Sequence, residues 1–272
     1  MSVRYEMLFL GAGNATAADL GNSSVVLLAD GQPLLGIDYG FTAHGAWMRA
    51  FGPPQAVFIT HTHLDHIGGL EALFYELATG PAPTSLVRLY CPVGLVALLH
   101  ARIATLPSAL AEGGRNFWDV FQLVPVGESF WHDHHSFRVF SNRHMMPNQS
   151  FGLSLPGRFF YSGDTRPIPE WTMALASQGE PIFHDAALAG NPAHSGLEDI
   201  SREYTDEQRR RMVLYHLESE AACRAAEASG FRVARPGDVF DLGHHVPARA
   251  SAATSSAPCP EVGDPPVSAL DR

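Results

Sequence analysis

Four metal-competent side chains crowd one hexapeptide, His61-Thr62-His63-Leu64-Asp65-His66. His61 and His63 stand two apart, so on an extended segment their imidazoles point the same way and can share one cation. Asp65 and His66 lie just beyond, where they would face a second cation beside the first. Neutral imidazoles with a carboxylate suit zinc and related transition metals, and the set is too rich in nitrogen for calcium or magnesium. The chemistry such a site offers is hydrolysis by a metal-activated water. A loop of solvated histidines is the plainer alternative, but four ligand-type residues at this spacing after an apolar strand argue against it.

More ligand-type residues stand at the ends of later apolar runs. His144 follows Phe137-Arg138-Val139-Phe140-Ser141, Asp164 ends Phe159-Phe160-Tyr161-Ser162-Gly163, and His216 follows Met212-Val213-Leu214-Tyr215. Each alone reads as a polar loop residue. Together they can complete a two-metal site, with a carboxylate at Asp164 bridging two cations and lowering their mutual repulsion.

Such residues need strands and helices to carry them. The hexapeptide follows Ala56-Val57-Phe58-Ile59 and precedes Gly68-Gly69, the pattern of a strand, a tight loop and a helix start. Upstream, residues 7–10 form a strand, and 24–28 and 33–37 a hairpin about Asp30-Gly31. Leu70, Leu73, Phe74 and Leu77 at helical spacing predict a helix over 68–78, closed by Pro81 and Pro83. Strands are predicted at 86–90, 120–124, 137–141, 151–155, 158–162, 181–183 and 239–242, and helices at 93–105, 167–178 and 206–229. Residues 212–215 also read as a strand, in competition with the last helix. Strands mixed with helices in both halves predict a layered α/β fold. From Arg249 onward the chain is mostly Ala, Ser and Pro without periodicity. The expectation is one domain over 1–248 and a flexible tail over 249–272.

Composition bounds the function. The chain has 272 residues, 46% apolar, enough for a large core. Its formal charge is −10, and all 18 cationic side chains are Arg. With no Lys, Schiff-base and P-loop lysines are excluded. The acidic balance argues against a grip on duplex DNA, which needs a basic face. A small phosphorylated substrate stays compatible, because local charge beside a metal outweighs net charge. Cys91, Cys223 and Cys259 are too scattered for a disulfide framework or a thiolate zinc site. The start has no signal-peptide layout and no run approaches ~18 apolar residues, so a cytoplasmic protein without a membrane span is expected.

The chain resembles the metallo-β-lactamase superfamily, whose HxHxDH signature is matched by His61, His63, Asp65 and His66. Within it the chain is most similar to the ribonuclease Z branch of phosphodiesterases. Phe9-Leu10-Gly11-Ala12-Gly13-Asn14-Ala15 with Gly21-Asn22-Ser23-Ser24 resembles that branch's opening, and Tyr161-Ser162-Gly163-Asp164-Thr165-Arg166-Pro167 its SGDTRP segment. Phe183-His184-Asp185-Ala186 is similar to its HEAT motif, His194-Ser195-Gly196 to its HST motif, and Leu214-Tyr215-His216-Leu217-Glu218 to the segment of its last metal histidine. The resemblance runs over nearly all of residues 5–243. It implies a four-layer αββα sandwich with a dinuclear site at one edge of the two sheets. His61, His63 and His144 would bind one metal, Asp65, His66 and His216 the other, and Asp164 would bridge both. The ions would be two divalent cations, zinc first, with manganese or iron accepted by the same donors. Asp65 and His194 would be catalytic, Asp65 orienting a metal-bridged hydroxide and His194 protonating the leaving alkoxide. A homodimer is the family's common state.

The departures narrow the substrate. Ribonuclease Z enzymes carry a tRNA-gripping arm between the equivalents of His144 and Asp164, where only 19 residues intervene here. Together with the acidic charge, this favours a small phosphodiester, a cyclic nucleotide or cyclic phosphate, over tRNA 3′-end cleavage. Asp185 replaces a glutamate, a shorter arm with the same charge, and Ser195-Gly196 loses one hydroxyl. Hydrolysis of an ester, thioester or lactone is the first alternative, and a non-catalytic metal-bound sensing protein the second. His132, His134 and His135 with Asp133 match no family ligand and are read as a solvated loop. His44 is divided evenly between a pocket and a surface role, His100 is read as structural, and His244 and His245 as capping the fold. Phe41, Trp47 and Phe74 could stack on a ring, but core packing is the favoured reading.

Overall fold

A computed structural model of the chain describes residues 3–80, 85–104 and 114–245. The closure expected at Pro81 and Pro83 and the tail over 249–272 lie outside the described residues. Two seven-stranded sheets face each other. The first holds β1 (Val3–Gly11), β2 (Ser24–Ala29), β3 (Gln32–Ile37), β4 (Ala56–Phe58), β5 (Val87–Pro92) and β6 (Phe121–Val126), with β14 (Val239–His245) outside β1. The second runs from β7 (Ser129–His132) through β8 (His135–Ser141), β9 (Phe151–Leu155), β10 (Phe159–Tyr161), β11 (Ile182–Asp185) and β12 (Met212–Tyr215) to β13 (Arg232–Val233).

The period-two alternation of strands builds three cores from these two sheets. Val25 and Leu27 of β2 join Tyr5, Met7, Phe9, Phe137, Tyr161 and Tyr215 between the sheets. Val26 and Leu28 face the opposite way, toward α1 (Ala43–Phe51), α2 (Leu64–Ile67) and α3 (Gly69–Thr79), where Trp47, Ile67, Leu70 and Phe74 are buried. On the far side, Phe160, Met212 and Leu214 pack with residues of α5 (Pro169–Leu175), α6 (Leu197–Glu203) and α8 (Glu220–Ala228), among them Ile200, Ala222 and Ala226, while α7 (Asp206–Arg211) is tied to α5 by Gln208 Nε2 donating to Thr172 Oγ1 at 2.8 Å. The result is the expected four-layer αββα sandwich. Trp47 and Phe74 are core residues, as read.

Three elements differ from expectation. The helix expected over 206–229 is divided, because Met212–Tyr215 is fully buried on both faces and pairs in parallel with β11. Thr205 caps the start of α7 and Ser219 the start of α8 through side-chain oxygens, so the restart of the helix after the strand is written in a cap residue. The helix expected over 93–105 is helical throughout its described part but not uniformly α: a 3-10 turn over Val93–Leu95 leads into α4 (Val96–Leu99), which widens into π geometry over His100–Ala104. The solvated loop expected at His132–His135 is a two-residue hairpin. Asp133 and His134 take positive φ (43° and 66°), the conformation such a turn requires. His132 is buried, its Nε2 donating to the Leu34 carbonyl at 2.9 Å and its Nδ1 bonded to the Tyr90 hydroxyl at 2.9 Å. Both partners are on the first sheet, so His132 is a polar tie across the sandwich. His135 bonds the Tyr5 hydroxyl at 2.7 Å. His100 lies against Phe117 and Trp118. Among the described residues no helix is long and apolar enough to cross a membrane.

Candidate metal centre

Strand ends deliver the site. The chain leaves β4 through Thr60 and His61, turns at His63, and enters α2 with Asp65 and His66 in its first turn. His144 follows β8, Asp164 follows β10, Asp185 ends β11 and His216 follows β12. All arrive at one edge of the two sheets. The edges are stitched together there: Phe151 N donates to Thr60 O at 3.0 Å, and His216 N to Ala12 O at 2.6 Å. His216 itself sits at φ 73°, a left-handed conformation that a non-glycine residue holds only when its surroundings fix it.

Four of the histidines singled out in the sequence converge on one carboxylate oxygen of Asp164. Asp164 Oδ2 lies 3.2 Å from His66 Nε2, 3.1 Å from His216 Nε2, 3.7 Å from His61 Nε2 and 3.8 Å from His144 Nε2. On one side, His63 Nδ1 stands 3.0 Å from His61 Nε2 and 3.1 Å from His144 Nε2. On the other, Asp65 Oδ2 stands 3.6 Å from His66 Nε2 and 3.5 Å from His216 Nε2. Ligand atoms of His61, His63 and His144 form one compact group and those of Asp65, His66, Asp164 and His216 another, each within 4.8 Å.

This arrangement fits divalent cations. His66 Nε2, His216 Nε2 and Asp164 Oδ1 are buried without a hydrogen-bond partner, a costly state for a protein that has nothing else to put there. Burial, with the neighbouring His66, holds His61 neutral, and burial does the same for His63, the form in which imidazole coordinates. The second group behaves oppositely. Burial disfavours charge on His66 and His216, but the carboxylates outweigh it. Asp164 and Asp38 raise His66, while Asp164, Asp185 and Asp65 lift His216 to about 10. Asp164 itself is held well below the usual carboxylate range, burial being overcome by His216 and His66. A pocket that binds protons this firmly is one that a cation can enter by displacing them.

Supporting contacts orient the donors. Asp38, buried at φ 61°, bonds His66 Nδ1 at 2.6 Å and accepts from Thr60 N at 2.8 Å and Thr60 Oγ1 at 2.7 Å. Sequence reasoning missed it. No local signal marked it: the carboxylate stands one step past Ile37, on a strand that only the sheet places beside the one leading to the hexapeptide. Asp185 Oδ2 stands 2.9 Å from His194 Nδ1, and its Oδ1 3.2 Å from His216 Nδ1. The shorter side chain therefore reaches both imidazoles. His194 stacks on His216 with centroids 4.9 Å apart, at the wall of a cavity of about 520 Å³ that His63, Asp65, His144, Asp164 and His216 also line. His44 is elsewhere, between Tyr39 Oη at 3.2 Å and Glu76 Oε2 at 2.9 Å. Phe41 is not core: it is exposed on the rim of that cavity.

Comparison with known proteins places the chain in a family and agrees with its fold. The family model described as Anti-Pycsar protein Apyc1 matches residues 5–240. The Anti-Pycsar protein Apyc1 of Paenibacillus xerothermodurans is 31% identical over 212 residues, 74% of this chain and 82% of that protein. Among solved structures, the metallo-β-lactamase fold protein YhfI from Bacillus subtilis superimposes with a TM-score of 0.67 at 12% identity, over 88% of this chain and 99% of YhfI. The short form of human tRNase Z gives 0.60 at 22% identity, over 88% and 99%. At these identities the structural likeness speaks for the fold.

Proposed function

The chain belongs to the Anti-Pycsar protein Apyc1 family and is a metal-dependent hydrolase of the metallo-β-lactamase fold, and we propose that it cleaves a small phosphodiester, a cyclic nucleotide or cyclic phosphate. The observation that carries this reading is Asp164 Oδ2 lying within 3.8 Å of four imidazole nitrogens, with His194 at the same cavity wall. His61, His63 and His144 would hold one cation and Asp65, His66 and His216 a second, zinc being the natural choice for these donors. Bound there, the cations would supply hydroxide at neutral pH and offset charge on the phosphate oxygens.

The chain's own residues do the rest. Asp164 spans the two ligand groups and keeps their spacing. Asp65, at the junction of cavity and ligand cluster, orients the attacking water. Asp185 holds His194 at Nδ1 and so leaves Nε2 for the leaving oxygen. Burial disfavours charge on His194, but the bond to Asp185 outweighs it and raises its pKa, which keeps a proton available for an alkoxide. Asp38 fixes His66 from behind. An acid aimed at the leaving oxygen suits a diester whose alkoxide leaves poorly without a proton.

The test is metal analysis of the full chain followed by a panel of cyclic nucleotides, cyclic phosphates, nitrophenyl diesters and lactones. Diester turnover that disappears in Asp164→Ala is expected. A fully loaded protein that cleaves no diester, or cleaves lactones best, removes the proposal.

A further inference from the structure

The cavity above the ligand cluster has a charged floor and an apolar rim. Ala15, Phe41, Leu64 and Ala193 line the rim beside His63, Asp65 and Asp164. Phe41 is 57% exposed and Leu64 45%, whereas Trp47, six residues beyond Phe41, is buried. Two large apolar side chains exposed at the mouth of one cavity are placed to meet what enters it.

The position of the Phe41 ring is fixed by its neighbours. A Cβ on Gly68 would stand 2.6 Å from Phe41 Cε1 and 2.7 Å from Cδ1, so the absent side chain is what lets the ring lie against the turn between α2 and α3. The loop that presents it is pinned as well. Asn22 N donates to Thr42 Oγ1 at 2.7 Å, and Thr42 N returns a bond to Asn22 Oδ1 at 3.3 Å. The polar rim residues are occupied with each other, since Asn14 Oδ1 accepts from both Thr16 N and Thr16 Oγ1 at 2.9 Å. What the rim offers a ligand is therefore a fixed aromatic ring and an aliphatic neighbour, one step from the groups that would hold a phosphate.

We propose that Phe41 is a specificity-determining residue, its ring stacking on a planar ring that the substrate carries next to its phosphodiester, with Leu64 as a second apolar contact. This rests on the phosphodiesterase reading above and selects, within it, diesters bearing a heterocycle over bare sugar or glycerol cyclic phosphates. Stacking of a base on an aromatic side chain changes affinity by about tenfold or more when the side chain is truncated.

The experiment uses the metal-loaded full chain with two substrates, adenosine 3′,5′-cyclic monophosphate and the base-free ribose 1,2-cyclic phosphate. Phe41→Ala is expected to raise KM for the nucleotide about tenfold with kcat nearly unchanged, and to leave the base-free diester alone. Phe41→Tyr is expected to restore the nucleotide KM. Equal KM changes on both substrates, or none on the nucleotide, overturn the proposal. Binding decides the role of Phe41 separately when wild type cleaves neither diester, an outcome that defeats the phosphodiesterase reading itself. Adenosine 5′-monophosphate must then bind about tenfold tighter than ribose 5-phosphate, and Phe41→Ala must erase the difference. Equal affinities in wild type, or a difference that survives in the variant, overturn the role of Phe41.

Discussion

Asp185 Oδ2 lies 2.9 Å from His194 Nδ1. The same oxygen accepts from Thr165 N at 2.8 Å, so the carboxylate is anchored by backbone before it meets the imidazole. One methylene shorter than the glutamate of the motif it resembles, it still makes the bond, because β11 ends on Asp185 itself and delivers it to the cavity edge. The pair joins an anchored acceptor to a half-exposed imidazole beside the ligand cluster.

His194→Ala is expected to lower kcat on a cyclic nucleotide by about 100-fold and on a bis-nitrophenyl diester only a few-fold, since nitrophenolate leaves without a proton. Equal losses on the two would remove His194 from the leaving group. Asp185→Asn tests the same link through pH. Asp185 raises the His194 pKa, so activity that needs protonated His194 is lost as pH rises through that value. With Asn the loss should begin at lower pH, and an unmoved alkaline limb at full metal content would separate Asp185 from the acid.

Metal binding should release protons. In the ion-free chain His216 is lifted to about 10 and His66 is also raised, so both carry protons at neutral pH. Coordination through either Nε2 requires that proton to leave. Loading near pH 7.5 is expected to release about two protons per chain, and apparent affinity should climb with pH through the neutral range. Calorimetric titration in buffers of differing protonation enthalpy measures this, and a release of zero would contradict charged imidazoles in the second group.

Much of the site was legible because its chemistry is local and its spacing constrained. His61, His63, Asp65 and His66 lie within one turn between strand and helix, and Asp164 and His216 each follow an apolar run, though the run before His216 also fitted a helix. Asp38 was not legible, since its role depends on β3 lying beside β4, a pairing made by the sheet and not by sequence neighbours. Phe41 escaped for a related reason: the place of its ring on the rim depends on close packing over Gly68, 27 positions away, which has no side chain. His132 looked solvated among Asp133, His134 and His135, but alternation along β7 turns it inward with Phe130 and leaves Trp131 outside. The divided helix over 206–229 shows local propensity yielding to burial on both faces of β12.

His132 should make stability depend on acid. Burial holds its pKa below the ordinary 6.5, so as pH falls through that value the unfolded chain takes up a proton that the native chain refuses. Stability is then lost progressively from about pH 6.5 down to the native pKa. His132→Phe removes that term but leaves the Tyr90 hydroxyl and Leu34 carbonyl unpartnered, at a cost of about 2 kcal/mol at pH 8. Denaturant unfolding of the metal-loaded protein at pH 8 and pH 5.5 should show a smaller pH difference in the variant. An identical difference would assign the acid sensitivity to other groups.

Asp38→Asn probes how far the second ligand group depends on the carboxylate behind it. Asp38 is fully buried, and its oxygens take three bonds, from Thr60 N, Thr60 Oγ1 and His66 Nδ1. Asparagine tolerates the left-handed backbone at φ 61°, so the substitution changes charge and one donor with little backbone cost. The amide nitrogen must now face either Thr60 or His66, and the latter loses the acceptor that fixes its tautomer and ring plane. Partners of this kind alter metal affinity by about 10–100-fold. His66 belongs to the group with Asp65 and His216, whereas His61, His63 and His144 have no contact with Asp38 of this sort. Zinc titration monitored by competition with a chromogenic chelator should therefore show one site near wild-type affinity and one weakened by about 10–100-fold. Equal weakening of both would mean that Asp38 acts on the whole cluster through Thr60, which bonds His61 Nδ1 at 3.1 Å. Thr60→Val distinguishes these routes, since it removes the hydroxyl bonds and leaves the Asp38–His66 pair in place.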